Sequence, residues 1–283
     1  MTYNPIVFKD KNFQSHEISN CHLLIRFNSN SYSYIIIDQS QNEVIAVGKF
    51  TLNSNFTNSN VFEQFQNFCK ENEDLNLSFG KVKISLETHS FTFIPDDLFF
   101  KGDLQDYSKF MVCKPDDIIL DRKLSLPGIH NIILLGSEHI KLLKNTFHEP
   151  LIFSQVEPFI AAAFKLVENG SHAELFLNFN SESFEAAVIK NQNLQFYNIF
   201  SIAGADDFNY FLLNVLTHLD PDTKQLVCIS GEINQNMELY FRLAKYFDHI
   251  SFADAGNIVD TSKLPEEIHS HLYFSVSGLN LCE

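Results

Sequence analysis

Two histidines near the end of the chain are spaced in a way that could bind a metal ion. His269 and His271 lie two residues apart, so their imidazoles would share one face of a strand, and Glu266 and Glu267 could add carboxylate ligands. The sequence specifies no further ligand nearby, and exposed histidines close to a chain terminus are common. We therefore predict no metal site.

Paired carboxylates and a serine could also act in catalysis, but their contexts favour structural roles. The pairs Asp96–Asp97 and Asp116–Asp117 each follow a proline and precede apolar residues, as is typical of turns and helix caps. The segment Ser230–Glu232 lacks the glycine spacing of a G-x-S-x-G nucleophile motif. Neither G-x-x-x-x-G-K-[ST] nor G-x-G-x-x-G occurs. The sequence thus predicts no catalytic residue of these classes.

The composition narrows the partners and the compartment. The 283 residues include 20 Lys and Arg against 35 Asp and Glu, so the net charge of −15 disfavours nucleic acid as a partner. The five cysteines form no C-x-x-C pair, which argues against a disulfide framework or a zinc site. The first residues do not resemble a signal peptide, and no apolar run reaches the ~18 residues of a membrane helix. We expect a cytoplasmic protein with no direct membrane insertion.

Any site must be positioned by the elements of an internal repeat. Residues 22–38 align with residues 174–190 at one offset, and Phe-Asn-Ser recurs at Phe27 and Phe179. In each copy an apolar strand, a polar turn and a second strand predict a hairpin. A third strand, an amphipathic helix and a short buried strand follow in the same order. These later elements are residues 44–47, a helix from Val61 capped by Asn60, and 81–86 in the first copy, and residues 195–199, a helix around 208–216, and 224–229 in the second.

Three antiparallel strands, a helix and a parallel strand are the start of an RNase H-like unit, and two such units in tandem form the core of the actin-like ATPase fold. We therefore predict a duplicated α/β fold of two lobes, each with a mixed five-stranded sheet and flanking helices. The first lobe spans residues 1–155, with an insertion at about 91–127 that has no counterpart in the second copy. Residues 156–283 form a crossing helix and the second lobe.

The second half resembles the pilus-assembly branch of the actin-like superfamily. The resemblance implies a cytoplasmic protein that recruits a short peptide from a membrane partner, with the inserted subdomain bordering the peptide groove. From about residue 20 to 282 the chain more closely resembles an uncharacterised Bacteroidota family with an actin-like ATPase fold. The matching segments of the pilus-assembly branch are Ser154–Ala161, Ile199–Gly204, Cys228–Gly231 and Ser277–Leu281.

The residues that an ATPase of this fold needs are missing. Such enzymes hold ATP between two Asp-x-Gly turns, where glycine admits the phosphates and the carboxylate serves the metal. The matching positions are Arg26, Phe27 and Asn28 in the first lobe, and Asn178, Phe179 and Asn180 in the second. The adenosine-side motif keeps Gly231, but Ser230 and Glu232 flank it, and a carboxylate there disfavours a nucleotide. We therefore predict no cofactor and no ATP hydrolysis.

The insertion is unusually apolar for an added segment. We predict that Phe99, Phe100, Tyr107 and Phe110 form a surface for another protein or peptide, rimmed by Asp96, Asp97, Asp103 and Asp106. The leading hypothesis is a non-catalytic adaptor or scaffold. The alternatives are a nucleotide-responsive switch that binds ATP in the interlobe cleft with degenerate phosphate loops, and an enzyme of unrelated chemistry that uses that cleft. The sequence predicts neither the partner nor the oligomeric state.

Overall fold

The computed structural model describes residues 6–51, 61–124, 128–170, 172–217 and 226–283. Asn60, predicted as a helix cap, lies outside the described residues. The strands are β1 (Ile6–Lys9), β2 (Cys21–Phe27), β3 (Ser31–Asp38), β4 (Glu43–Thr51), β5 (Lys81–Leu86), β6 (Phe91–Pro95), β7 (Asp117–Lys123), β8 (Ile129–Gly136), β9 (Leu151–Ser154), β10 (Leu175–Phe179), β11 (Ser183–Lys190), β12 (Asn193–Ser201), β13 (Leu226–Gly231) and β14 (His249–Phe252). The α-helices are α1 (Val61–Glu71), α2 (Leu104–Tyr107), α3 (Ser137–Thr146), α4 (Val156–Glu168), α5 (Ala205–Leu216), α6 (Glu238–Leu243) and α7 (Phe274–Ser277).

Two mixed sheets form the two lobes, and their shared strands follow one order. The first sheet is ordered β1-β4-β3-β2-β5-β9 and the second β12-β11-β10-β13-β14. The second sheet has the predicted five strands, whereas the first has six, because β1 pairs with the outer edge of β4. Phe27 pairs with Tyr32, as Phe179 pairs with Phe184. The second strand of each lobe also has its register shift at the equivalent place, after Ile36 and after Val188. The predicted duplication and the equivalence of Phe27 and Phe179 are confirmed.

Strands β2, β3, β10 and β11 are buried on both faces, because helices or the opposite lobe cover each side. Their near-continuous runs of apolar residues supply that double burial. One core cluster contains residues of both sheets together with α4, α7 and the turn that follows α7. Two further clusters lie within the separate lobes. The lobes therefore share an apolar core.

Helix α4 is the centre of the shared core. Ten of its thirteen residues are buried, and it packs against α7 and the 3-10 turn Gly278–Leu281. A Cβ atom at position 278 would collide with the Pro158 carbonyl oxygen, so glycine permits this close approach. Lys83 on β5 donates to the Cys282 carbonyl at 2.5 Å, which ties the last residues to the first lobe.

The insertion forms a third sheet between β5 and β9. Its order is β6-β8-β7, with all neighbours antiparallel, so the inserted unit includes β8 and extends past residue 127 to Gly136. Asn131 on β8 donates through Nδ2 to Glu157 Oε1 at 2.8 Å, and Glu157 also accepts from the Ser154 amide at 2.8 Å. The insertion is thereby fastened to the start of α4.

Candidate interlobe site

The turns that replace the two phosphate loops are closed by their own side chains. The Asn28 amide donates to the Ser31 carbonyl at 2.8 Å, and the Asn180 amide donates to the Ser183 carbonyl at the same distance. Each asparagine also donates through Nδ2 to the serine hydroxyl, at 3.1 Å in the first lobe and 3.0 Å in the second. The asparagines at the former glycine positions therefore stabilise tight turns.

The tips of these turns touch each other across the lobes. Ser181 Oγ donates to Asn30 Oδ1 at 2.7 Å, and Ser29 Oγ donates to Glu182 Oε2 at 3.4 Å. In an ATPase of this fold the phosphates lie between the two turns. Here the turns bind each other instead.

Arg26, at the first aspartate position, forms a buried ion pair with the other lobe. Its Nη2 lies 2.5 Å from Glu185 Oε2, and the two side chains are 4% and 0% exposed. Nη1 donates to the hydroxyl of Ser275, and Nε donates to Asn28 Oδ1 at 3.1 Å. The positively charged guanidinium of Arg26 therefore lies where an ATPase of this fold needs a carboxylate to hold its metal ion.

Asn178, at the second aspartate position, belongs to the same network. It donates through Nδ2 to Glu185 Oε2 at 2.7 Å and accepts from Ser230 Oγ at 2.9 Å. Tyr197 donates its hydroxyl to Glu185 Oε1 at 2.8 Å. Sequence reasoning missed Glu185, although a glutamate inside the apolar strand β11, at the position equivalent to Ser33 of the first copy, is an unusual feature. Buried carboxylates need partners, and this one has three.

The retained Gly231 has a backbone explanation. Its φ is +79°, and a Cβ atom there would collide with the Phe179 carbonyl oxygen. The following residue, Glu232, pairs with Lys49 across the lobes at 3.1 Å. The space left on this side of the paired turns is about 20 Å³, which is room for roughly one water molecule.

These residues do not fit Mg-ATP. Arg26 and Asn178 stand at the two positions where an ATPase of this fold has its aspartates. The space on the adenosine side is about 20 Å³, whereas ligand pockets span ~300–1,000 Å³. Within the described residues, no three His, Cys, Asp or Glu side chains are grouped so that they could hold a metal ion. His271 is buried, and its Nε2 lies 3.0 Å from the Ile233 carbonyl oxygen.

A large cleft lies on the opposite side of the paired turns. It has a volume of about 1060 Å³ and is bordered by the end of β5, the start of α1, the inserted sheet, and the end of β12 with the start of α5. We call it the acidic cleft, because four carboxylates line it and Lys114 is the one Lys or Arg among its described lining residues; the four are Glu87, Asp117, Glu182 and Asp207.

Glu87 bridges the lobes at the floor of the acidic cleft. Its Oε2 accepts from Asn180 Nδ2 at 3.2 Å and from Ser183 Oγ at 3.4 Å. Burial raises the pKa of Glu87 to about 7, with the Glu185 charge raising it further and Arg26 opposing both. Close by, His89 Nε2 lies 3.4 Å from Ser201 Oγ, and burial lowers the pKa of His89. The described residues place no third group to orient this pair, so the geometry does not form a hydrolase triad.

Of the four aromatic residues predicted for the partner surface, Phe99 and Tyr107 pack against the insertion itself. The Phe99 ring stacks on the His130 ring with centroids 3.6 Å apart, and His130 Nδ1 is 2.7 Å from Asp121. The Tyr107 hydroxyl donates to the Leu98 carbonyl and accepts from the Phe100 amide, both at 2.9 Å. Phe99 and Tyr107 are half-buried and hold the segment in shape.

The other two aromatic residues face outward. Phe100 is 66% exposed and Phe110 is 81% exposed. Leu98 and Val112, which sequence reasoning did not select, are 67% and 82% exposed. We call these four residues the insertion patch. Asp96, on its predicted rim, pairs with Lys123 at 2.8 Å and is therefore partly neutralised.

Comparison with known proteins assigns the chain to a family. Residues 10–250 match the family described as "Protein of unknown function (DUF3822)". The chain belongs to this family. Among functionally curated proteins, none matches this DUF3822 chain.

Solved structures share its fold along nearly the whole chain. A Bacteroides thetaiotaomicron protein with an actin-like ATPase fold and unknown function has a TM-score of 0.74 at 16% identity, covering 94% of this chain and 97% of that one. A PilM–PilN type IV pilus biogenesis complex gives 0.60 at 9%, covering 92% and 97%. The ethanolamine utilization protein EutJ from Carboxydothermus hydrogenoformans gives 0.50 at 8%, covering 93% and 90%. The predicted actin-like ATPase fold is confirmed.

Proposed function

We propose that this DUF3822 protein is a non-catalytic scaffold of the actin-like fold that binds another protein in the cytoplasm. The observation that carries the proposal is the buried Arg26–Glu185 network, which fills the position where the metal and phosphates of an ATPase would lie. No helix within the described residues is long and apolar enough to cross a membrane.

A nucleotide-responsive switch is less well supported by the same geometry. To admit a nucleotide on the Gly231 side, the lobes would have to separate and break the buried Arg26–Glu185 pair. The binding energy of the nucleotide would have to offset the loss of that contact. The Lys49–Glu232 contact would be lost as well.

The insertion patch supports a protein partner. Four large apolar side chains within residues 98–112 of the insertion are each at least 66% exposed, and apolar surface of this kind is typical of protein interaction sites. Aromatic side chains are enriched where protein interfaces form. The similarity in fold to a PilM–PilN complex adds an analogy in which a protein of this fold has a protein partner.

Thermal unfolding with and without Mg-ATP tests the absence of a nucleotide role. We expect no change in Tm at millimolar Mg-ATP or Mg-ADP. A ligand at ~100 times its Kd would add about 2.7 kcal/mol of stability, or roughly 5–10 °C for a chain of this size. A rise of that order, dependent on Mg²⁺, would contradict the scaffold proposal and restore the switch.

Capture experiments with a charge placed on the insertion patch test the binding role. Phe110→Asp should lose a partner that the unchanged protein retains from extracts of its own host, because the charge would be buried in the interface. Phe241→Asp is the matched control, since Phe241 is 56% exposed on α6 of the other lobe. If both variants retain the same partner, the insertion patch is not the binding surface.

A further inference from the structure

We propose that the acidic cleft receives an arginine or lysine side chain carried by a short polypeptide segment of the partner. This inference rests on the proposed scaffold function and specifies the chemistry of the segment. In this arrangement apolar residues of the segment lie on the insertion patch, and the neighbouring basic residue enters between the lobes.

The charge of the cleft selects for a cation. Asp117, Glu182 and Asp207 line the cavity together with Glu87, whose raised pKa leaves it partly ionised near neutral pH, and Lys114 is the one Lys or Arg among the described lining residues. The strongest nearby cation, Arg26, is already paired with Glu185. None of the ion pairs formed within the described part of the chain engages Glu87, Glu182 or Asp207. A phosphate or another anion would meet repulsion here.

The hydrogen bonds of these carboxylates leave capacity for a ligand. Glu182 uses Oε2 for a long 3.4 Å contact with Ser29, and Asp207 uses Oδ2 to accept from the Ala203 amide at 2.9 Å. An ionised carboxylate offers about four acceptor sites. A guanidinium, with five donors in a planar fork, can satisfy several of them at once.

The shape of the cleft also fits a side chain that enters from the insertion. Val112 belongs both to the exposed insertion patch and to the wall of the cleft, so the two surfaces are continuous. Phe62 and His139 also line the cleft, and their rings stack with centroids 4.0 Å apart. Such a wall suits the methylene stem or the flat guanidinium face of a basic side chain.

A displayed library of random linear peptides, selected on the full chain, tests the proposal. We expect the recovered peptides to be enriched several-fold in Arg and Lys over the input library. The combined variant Glu87→Gln, Glu182→Gln, Asp207→Asn should abolish this enrichment and weaken the best basic peptide about 10- to 100-fold, the range for charge-assisted hydrogen bonds. The single variant Glu182→Gln, on an exposed turn, should weaken it in the same direction, and the amide oxygen can still accept from Ser29.

A control variant with the same loss of negative charge separates a site from general attraction to an acidic protein. Asp248→Asn, Glu266→Gln, Glu267→Gln changes three exposed acids outside the cleft and should keep the enrichment. Equal loss in this control would overturn the proposal. Recovery of peptides with no preference for Arg or Lys would also overturn the proposal. If Phe110→Asp abolishes the binding of those peptides, the proposed scaffold function is still supported. Failure of the unchanged protein to recover any peptide would count against both.

Discussion

The ion pair between Arg26 and Glu185 makes a quantitative prediction about how the lobes are joined. Arg26→Met keeps most of the side-chain volume and removes the charge, so it isolates the electrostatic part of the contact. Glu185 is fully buried and would then keep Asn178 and Tyr197 as donors but have no cation. A carboxylate in that environment is destabilised by its lost hydration.

The expected loss follows from the burial of both partners. Removing one member of a buried pair costs about 3–5 kcal/mol. The two remaining hydrogen bonds to Glu185 place the cost of Arg26→Met near the lower value, about 3 kcal/mol, which lowers the folding equilibrium constant by more than 100-fold. Adding Glu185→Gln removes the stranded charge, so the double variant should recover at least half of the loss.

Urea unfolding followed by far-UV circular dichroism measures these free energies, since the chain has no Trp for fluorescence. Lys165→Met is a control, because its pair with Glu168 is 39% and 60% exposed and should contribute little. A cost below about 1 kcal/mol for Arg26→Met, or a double variant as unstable as the sum of the singles, would refute a buried and coupled pair.

Two further substitutions test other parts of the site. Gly231→Ala should lower Tm markedly, because the new methyl group meets the Phe179 carbonyl oxygen at a strained positive φ. Gly204→Ala is the control and should change Tm little, because no atom lies near the new Cβ. Equal Tm values for the two variants would contradict the backbone explanation of Gly231. Because the pKa of Glu87 rises from 4.5 to about 7 on folding, its contribution to stability is present below pH 4.5 and is lost as the pH rises through 7. Urea unfolding between pH 5 and 8 should therefore show a smaller fall in the free energy of unfolding for Glu87→Gln than for the unchanged protein. Identical slopes of that free energy against pH would show that Glu87 titrates normally.

The repeat was predictable because duplicated strands keep their apolar pattern and their turn residues. The Phe-Asn-Ser turns located equivalent residues in the two lobes, and the loss of both Asp-x-Gly loops was visible at Arg26 and Asn178. The strand order followed from the sequence of elements, since a hairpin extended by a third strand and a parallel crossover has few arrangements. The inserted sheet was bounded less well, because β8 reads as an ordinary buried strand.

The interlobe contacts could not be predicted, since they join residues far apart in the sequence. Glu185 meets Arg26 across 159 positions, and nothing local in β11 indicates that partner. The two sides of the paired turns also differ for reasons of side-chain size. On one side Lys49, Glu232 and Ser275 fill the space, while on the other the lobes diverge around Glu87 and leave the acidic cleft.

The packing of α4 against α7 has a consequence for synthesis on the ribosome. Helix α4 ends at Glu168, but its partner helix begins only at Phe274. About 100 residues must be added between the two, which takes roughly 5–20 s at ordinary elongation rates. During that interval the apolar face of α4 that Gly278 later covers has no native cover, and Lys83 has no carbonyl from Cys282 to bind. The emerging first lobe and α4 therefore expose apolar surface, which favours aggregation, until residues 274–282 have been made.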